Sequence, residues 1–104
     1  MAQANTRTET LDHSPTKKRD TIARALDAAQ RKAWSECSRE IWPLYKLLAR
    51  TRYHADRHLP IETQLVTLVY FSCDDAFYSE TDGAAIVHAL ELLLRLRPSF
   101  KHQN

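Results

Sequence analysis

The stretch SETDGAAIVHALELLLRLRP, residues 79–98, decides the fold class of this chain. Ser79 and Asp82 can satisfy free backbone amides at the start of a helix, as in a capping box, and Pro98 cannot continue a helix. Ten of the thirteen residues 84–96 are apolar. An apolar stripe of this width predicts a helix that is buried on more than one side.

Gly83, within this stretch, is the only glycine in the 104 residues, whereas an average chain of this length has about seven. Glycine supplies positive-φ turns and the close backbone approaches on which phosphate loops and nucleophile elbows depend. We therefore expect helices joined by short polar or proline-containing links, with little catalytic machinery. Two roles stay open for Gly83: a turn residue, or a point at which the last helix packs closely on residues 61–78.

The preceding stretch, residues 61–78, is also predicted to be a helix. A strand is the weaker interpretation, because the apolar pattern outlasts the length of a strand and no second strand is available to pair with it. The apolar residues fall on two adjacent helical faces. The first face contains Ile61, Leu65, Leu68, Val69, Ser72 and Ala76, and the second contains Val66, Tyr70, Cys73 and Phe77.

The N-terminal half shows the periodicity of a long amphipathic helix. Ser14 and Pro15 have the form of an N-cap followed by proline at the first helical position, and apolar residues then recur every three or four positions. Pro43 lacks an amide hydrogen and clashes with the preceding turn, so we expect a kink or break near residues 40–42. A further helical stripe follows, and Pro60 opens the next element.

These elements predict an all-α protein, a small bundle of three to four helices in one domain over residues 15–98. Residues 1–14 are polar and aperiodic, which predicts a disordered tail. Residues 99–104 form a C-terminal tail. A domain of 12.1 kDa buries a small fraction of its chain surface, so it is marginally stable unless it oligomerises or binds a partner.

The net charge of +2 is unevenly distributed along the chain. Residues 1–60 hold twelve Lys and Arg against seven Asp and Glu, a net +5, whereas residues 61–104 hold three against six, a net −3. Such a split suits self-association or a charged partner, and it falls short of the basic stripe of a dedicated DNA-binding protein.

Neither a secretory signal nor a membrane span is visible in the sequence. The N-terminal residues lack an apolar segment, and no run reaches the roughly 18 apolar residues of a transmembrane helix. We therefore expect a cytoplasmic protein, in which Cys37 and Cys73 are reduced. Their separation fits no zinc motif, so we interpret both as buried and inert thiols.

Two short patterns around residues 52–58 suggest chemistry. His54 and His58 are four positions apart and could share a metal ion, but the spacing places no third ligand, so we expect no metal and no cofactor. Arg52 and His58 resemble the Arg-x4-6-His motif of HEPN ribonucleases, in which such a pair acts on the RNA phosphodiester. This resemblance leaves a ribonuclease as one alternative function.

Basic residues along the first helix leave a second alternative, a nucleic-acid-binding accessory factor. Acidic residues interleave with them, a pattern typical of a solvated helix with i,i+4 ion pairs rather than of a phosphate track. We therefore do not expect nucleic acid to be the main partner. The basic residues concerned are Lys17, Lys18, Arg19, Arg24, Arg31, Lys32 and Arg39.

Aromatic residues among the arginines of the first two helical segments point to a protein partner. Trp, Tyr and Arg are the side chains most enriched at interface hot spots. Residues 61–96 already supply enough aliphatic side chains for a core of this size, so the surplus apolar area predicts a partner surface or a homodimer. From periodicity, the candidate partner-binding residues are Trp34, Ile41, Trp42, Tyr45 and Leu48.

The stretches WSECSREIWPLYKLLARTRYHADRHL, residues 34–59, and GAAIVHALELLLRLRPSF, residues 83–100, resemble the QslA-like family of small helical antiactivators. The resemblance extends over residues 16–97. It implies binding to the ligand-binding domain of a LuxR-type quorum-sensing regulator, which blocks dimerisation and therefore DNA binding by that regulator. The sequence thus predicts a non-enzymatic regulatory protein, without catalytic residues, that inhibits a protein partner.

Overall fold

The computed structural model describes residues 15–52 and 60–96, and in these two ranges the chain is helical throughout, apart from short links. The helices are α1 Pro15–Gln30, α2 Trp34–Arg52, α3 Ile61–Ser72, a 3-10 helix Asp75–Phe77, and α4 Glu80–Arg95. The described ranges contain no strand, which confirms the predicted all-α bundle. The predicted tails, residues 1–14 and 99–104, lie outside the described residues.

The four α-helices of the described ranges form a ring around one core. α1 packs on α2 and α4, and α3 packs on the same two helices. Arg19, near the start of α1, donates a hydrogen bond from Nη1 to the Leu94 carbonyl oxygen near the end of α4 at 3.1 Å, so these two helices run in opposite directions. The largest fully buried side chains are Ile41, Leu44, Ile86, Leu90, Val66, Val69, Cys37 and Cys73.

The first helix ends at Gln30, so the prediction that it continues to a break near residues 40–42 is wrong. Lys32 has a φ of 62°, in the left-handed region. Its amide donates to the Ala29 carbonyl and the Ala33 amide donates to the Ala28 carbonyl, both at 2.9 Å. These two hydrogen bonds form a Schellman motif, which normally has glycine in the left-handed position. Lysine at that position gave no sequence signal for the end of the helix.

α2 continues through Pro43, where the sequence predicts a kink or break. Proline inside a helix removes one backbone hydrogen bond and crowds the preceding turn. The neighbouring side chains Ile41 and Leu44 are fully buried. Their burial holds both sides of the proline against the core, which offsets the lost hydrogen bond.

α3 ends at Ser72, earlier than the predicted residue 78, and it buries one stripe rather than two apolar faces. Its buried residues are Thr63, Val66 and Val69, followed by Cys73 at the C-cap. Of the predicted first face, Ile61 and Leu68 are exposed. α3 contacts neighbouring helices only on the side that faces α2 and α4, so its outer side keeps apolar residues uncovered.

α4 begins with the predicted cap and contains the single glycine. The Ser79 hydroxyl accepts a hydrogen bond from the Asp82 amide at 3.2 Å, and the helix starts at Glu80 rather than at residue 84. Gly83 is buried inside the helix and does not have a positive φ. A Cβ atom at this position would lie 2.8 Å from Cζ2 of Trp34. Gly83 is therefore a close-packing residue, and its neighbour is Trp34 rather than α3.

Candidate protein-binding surface

α2 separates the five predicted partner-binding residues into two groups. Trp34, Ile41 and Leu48 are buried in the core, and Trp34 is only 7% exposed. A side chain that its own chain covers to this extent has almost no area left for a partner, so these three predictions are corrected to core positions. Trp42 is 40% exposed, and Tyr45 is half-buried beside it.

Trp42 and Tyr45 meet two aromatic residues of α3. The rings of Tyr45 and Tyr70 are stacked, with centroids 4.6 Å apart and an angle of 15° between their planes. Trp42 lies against both rings, 5.2 Å from Tyr70 and 5.9 Å from Tyr45. Phe71 completes the group, and we call Trp42, Tyr45, Tyr70 and Phe71 the aromatic face.

Phe71 stands at the outer edge of the aromatic face. Its ring is perpendicular to that of Tyr45 at 5.5 Å and steeply inclined to that of Tyr70 at 5.3 Å. Edge-to-face pairs of this kind add stabilisation beyond the burial of area. Phe71 is nevertheless 60% exposed. The neighbouring rings therefore pack against one part of the Phe71 side chain, and most of its surface is turned to solvent.

Among the described side chains, the aromatic face carries very little charge. Lys46 places Nζ 5.5 Å from the centroid of the Trp42 ring, in the geometry of a cation–π contact. α3 has one charged residue, Glu62, whose carboxylate lies 3.7 Å from Nζ of Lys18 on α1. The outer side of α3 therefore continues the aromatic face with exposed Ile61 and Leu68 and no charged side chain.

Tyr70 and Phe71 are functional candidates that the sequence analysis does not select. Tyr70 belongs to a predicted apolar face, and its contact with Tyr45 depends on how α3 docks against α2. Phe71 lies outside both apolar faces predicted for residues 61–78. The available signal was that Phe71, an aromatic residue, lies off the apolar stripe of a helix with only one charged residue.

A second exposed aromatic pair follows α3. Phe77 and Tyr78 lie 6.4 Å apart, and within the described ranges they make no ring contact with the aromatic face. Tyr78 is 92% exposed. Because Tyr78 is accessible and separate from the aromatic face, it provides a matched control for substitutions there.

The basic residues of α1 are partly neutralised by acidic neighbours. Arg24 pairs with Glu40 at 2.9 Å. Arg31 pairs with Glu36 at 2.8 Å and with Asp27 at 3.1 Å, and the hydrogen bonds from Glu36 and then Asp27 raise its pKa. Arginines that are already paired with carboxylates interact less strongly with a phosphate backbone. This surface therefore adds no support to the alternative of a nucleic-acid-binding factor.

The two cysteines face each other inside the bundle. Both are free and buried, and Cys73 donates a hydrogen bond to the Val69 carbonyl at 3.2 Å. The hydrogen bond between the two thiols and the burial of Cys37 raise the pKa of Cys37, whereas the same hydrogen bond lowers the pKa of Cys73 against the effect of its burial. The arrangement is that of core thiols, as the sequence predicts.

The described residues show no arrangement for metal chemistry. In that part of the chain no three His, Cys, Asp or Glu side chains are grouped so that they could hold a metal ion. The side chains of the candidate pairs His54–His58 and Arg52–His58 lie outside the described residues. Within the same limits, no helix is long and apolar enough to span a bilayer.

No protein-family model, curated protein or solved structure matches this chain.

Proposed function

We propose that this chain is a non-enzymatic regulatory protein that binds and inhibits another protein through the aromatic face. The observation that carries the proposal is a fixed cluster of four aromatic rings at the surface, in which Trp42 and Phe71 stay 40% and 60% exposed. Aromatic anchors surrounded by near-neutral contacts are the usual composition of an interface hot spot.

The chemistry of the aromatic face restricts the partner. Exposed Phe71, Leu68 and Ile61 extend the rings along α3 without a charge, and Lys46 supplies a cation beside Trp42. A complementary partner presents an apolar patch with a carboxylate opposite Lys46. The resemblance to small helical antiactivators supports a LuxR-type regulator as the partner, with its ligand-binding domain covered so that it cannot dimerise and bind DNA.

The same face also suits a second copy of this chain. In a two-fold interface the same residues meet each other, and like charges near the axis oppose association. The outer side of α3 has no charged side chain to create that repulsion. A homodimer formed through α3 is therefore part of the proposal, as a state that covers the aromatic face and must dissociate before the partner binds there.

Isothermal titration calorimetry with a purified LuxR-type ligand-binding domain tests the inhibitory function. Phe71→Glu should weaken binding at least a hundredfold, because it places an unpaired charge within an apolar contact. Tyr78→Glu introduces the same charge at a separate exposed aromatic residue and should leave the affinity unchanged. Equal binding by wild type and a folded Phe71→Glu variant would exclude the aromatic face as the binding surface.

Sedimentation equilibrium separates the homodimer from the complex with a partner. The wild-type chain and Tyr78→Glu should dimerise, and Phe71→Glu should remain a monomer. If the wild type is itself a monomer at all concentrations, self-association through α3 is wrong. Binding of the regulator domain by that monomer would leave the inhibitory function standing.

A further inference from the structure

An open groove lies between the end of α1, the start of α2 and the start of α4. Its volume is about 410 Å³, within the range of small-molecule sites. Trp34 adds only a small area to the groove, because it is 7% exposed. We call it the Trp34 groove, and it is lined by Ala29, Gln30, Lys32, Trp34, Ala76, Glu80, Gly83, Ala84 and Val87.

Small side chains line much of the groove. Ala29 of α1, Ala76 of the 3-10 helix and Gly83 of α4 belong to the lining but are buried, as Trp34 is. Gly83 allows the indole ring to lie directly on the α4 backbone, because even a Cβ atom there would stand 2.8 Å from the ring. The result is a depression whose accessible apolar surface comes mainly from exposed Ala84 and half-buried Val87.

Two opposite charges line this apolar depression. Lys32 lies at the α1 end and Glu80 on α4. Among the side chains that the structure describes, neither takes part in an ion pair, although Arg24 and Arg31 of the same basic region are both paired. Lys32 also occupies the left-handed position of the Schellman motif, where glycine is the less costly residue. Lysine contributes a cation there that glycine would not.

We propose that the Trp34 groove binds a zwitterionic amino acid with a large apolar side chain. The side chain packs on Ala84 and Val87, the carboxylate faces Lys32 and the ammonium group faces Glu80. A simple anion of the same shape is repelled by Glu80, and a simple cation is repelled by Lys32. The pair of charges therefore selects a ligand that carries both. This site is independent of the aromatic face and of the proposed regulatory function.

Titration of the ¹⁵N-labelled full chain with three matched ligands tests the proposal. The probes are L-phenylalanine, its amide, which lacks the carboxylate, and 3-phenylpropionate, which lacks the ammonium group. The Gly83 amide is a convenient reporter, because it is the only glycine resonance of the chain. L-phenylalanine should shift it with a dissociation constant of about 1 mM or lower, and each analogue should bind about fivefold more weakly.

Charge-removing variants identify which ligand group each side chain contacts. Lys32→Gln should weaken L-phenylalanine and 3-phenylpropionate about fivefold, and it should strengthen the cationic amide because a repelling charge is removed. Glu80→Gln should weaken L-phenylalanine and the amide, and it should strengthen the anionic 3-phenylpropionate for the same reason. If Lys32→Gln weakens all three ligands equally, its effect is structural and the proposed contact is wrong.

A groove-filling variant tests the location. Ala84→Phe places a ring in the groove and should abolish the shift of Gly83 on addition of L-phenylalanine. Ala23→Phe makes the same change at an exposed alanine of α1 that does not line the groove, and it should bind as the wild type does. Absence of any shift in the wild type at about 10 mM ligand, or unchanged binding by a folded Ala84→Phe variant, overturns the proposal.

Discussion

Trp34 and Trp42 lie eight positions apart on the same helix, but the first is buried and the second is exposed. Trp34, at the start of α2, is closed into the core against the bare backbone of Gly83. Trp42, two turns later, is 40% exposed and rests on Tyr45 and Tyr70. The same residue type is a structural element at one site and a candidate binding anchor at the other.

The difference between these two sites follows from the size of the facing residues. Opposite Trp34 the chain places Gly83, so α4 approaches close enough to cover the indole. Opposite Trp42 it places tyrosine, which fills the gap between α2 and α3 and leaves the indole at the outside. A small facing residue thus allows an aromatic side chain to be buried in the core, and a large facing residue keeps it at the surface.

Truncation of the two tryptophans should separate these roles most strongly. Trp34→Ala removes a buried aromatic side chain and should lower the free energy of unfolding by about 3–5 kcal/mol, a large part of the stability of a domain of this size. Trp42→Ala removes ring contacts at the surface and should cost about 1 kcal/mol. Urea unfolding followed by circular dichroism measures both.

Binding of the regulator domain and self-association should depend on Trp42 more than on Trp34, the reverse of the order expected for stability. Trp42→Ala should weaken association while the chain remains folded. Trp34→Phe, a milder change in the core, should leave association intact. Comparable losses of stability at the two positions would show that the distinction between core and surface tryptophan is wrong.

Local sequence signals predict the all-α fold class and several helix boundaries. Ser79 caps α4 as predicted, because its hydroxyl acts within three residues along the chain. Pro60 immediately precedes α3. The end of α1 was missed because Lys32, unlike glycine, gives no signal of a left-handed position. The interpretation of Pro43 was wrong because its effect depends on the burial of Ile41 and Leu44 on either side.

The candidate site depends on contacts between distant parts of the sequence. Trp34, Ile41 and Leu48 are spaced seven positions apart, a single buried stripe that runs past Pro43. A predicted break at Pro43 interrupts this stripe, so spacing along the sequence does not separate the core residues from the exposed Trp42. The stacking of Tyr45 on Tyr70 depends on the packing of α3 against α2, for which spacing along one helix provides no information.

Gly83→Ala sharpens the account of Trp34 by testing the close approach directly. Its Cβ atom would stand 2.8 Å from Cζ2 of the indole, so the ring must shift and the chain should lose about 1–2 kcal/mol of stability even though alanine favours a helix. In a Trp34→Phe background the clashing ring atoms are absent, and the same change should be neutral or stabilising by up to about 1 kcal/mol. Thermal unfolding of the four proteins gives the coupling between the sites. Additive effects would mean that Gly83 is not required for the burial of Trp34.

The smallest expected effect concerns the turn that brings Trp34 into the core. Lys32 has a φ of 62° two residues before α2 begins. Lys32→Gly relieves the cost of a side chain in the left-handed region and should raise the free energy of unfolding by about 0.5–1 kcal/mol, after the entropy that glycine adds to the unfolded chain is subtracted. Lys32→Ala removes the same charge without relieving the backbone, so it should leave stability unchanged. If alanine stabilises as much as glycine, the gain comes from removal of the charge. The left-handed conformation of Lys32 would then not destabilise the folded chain.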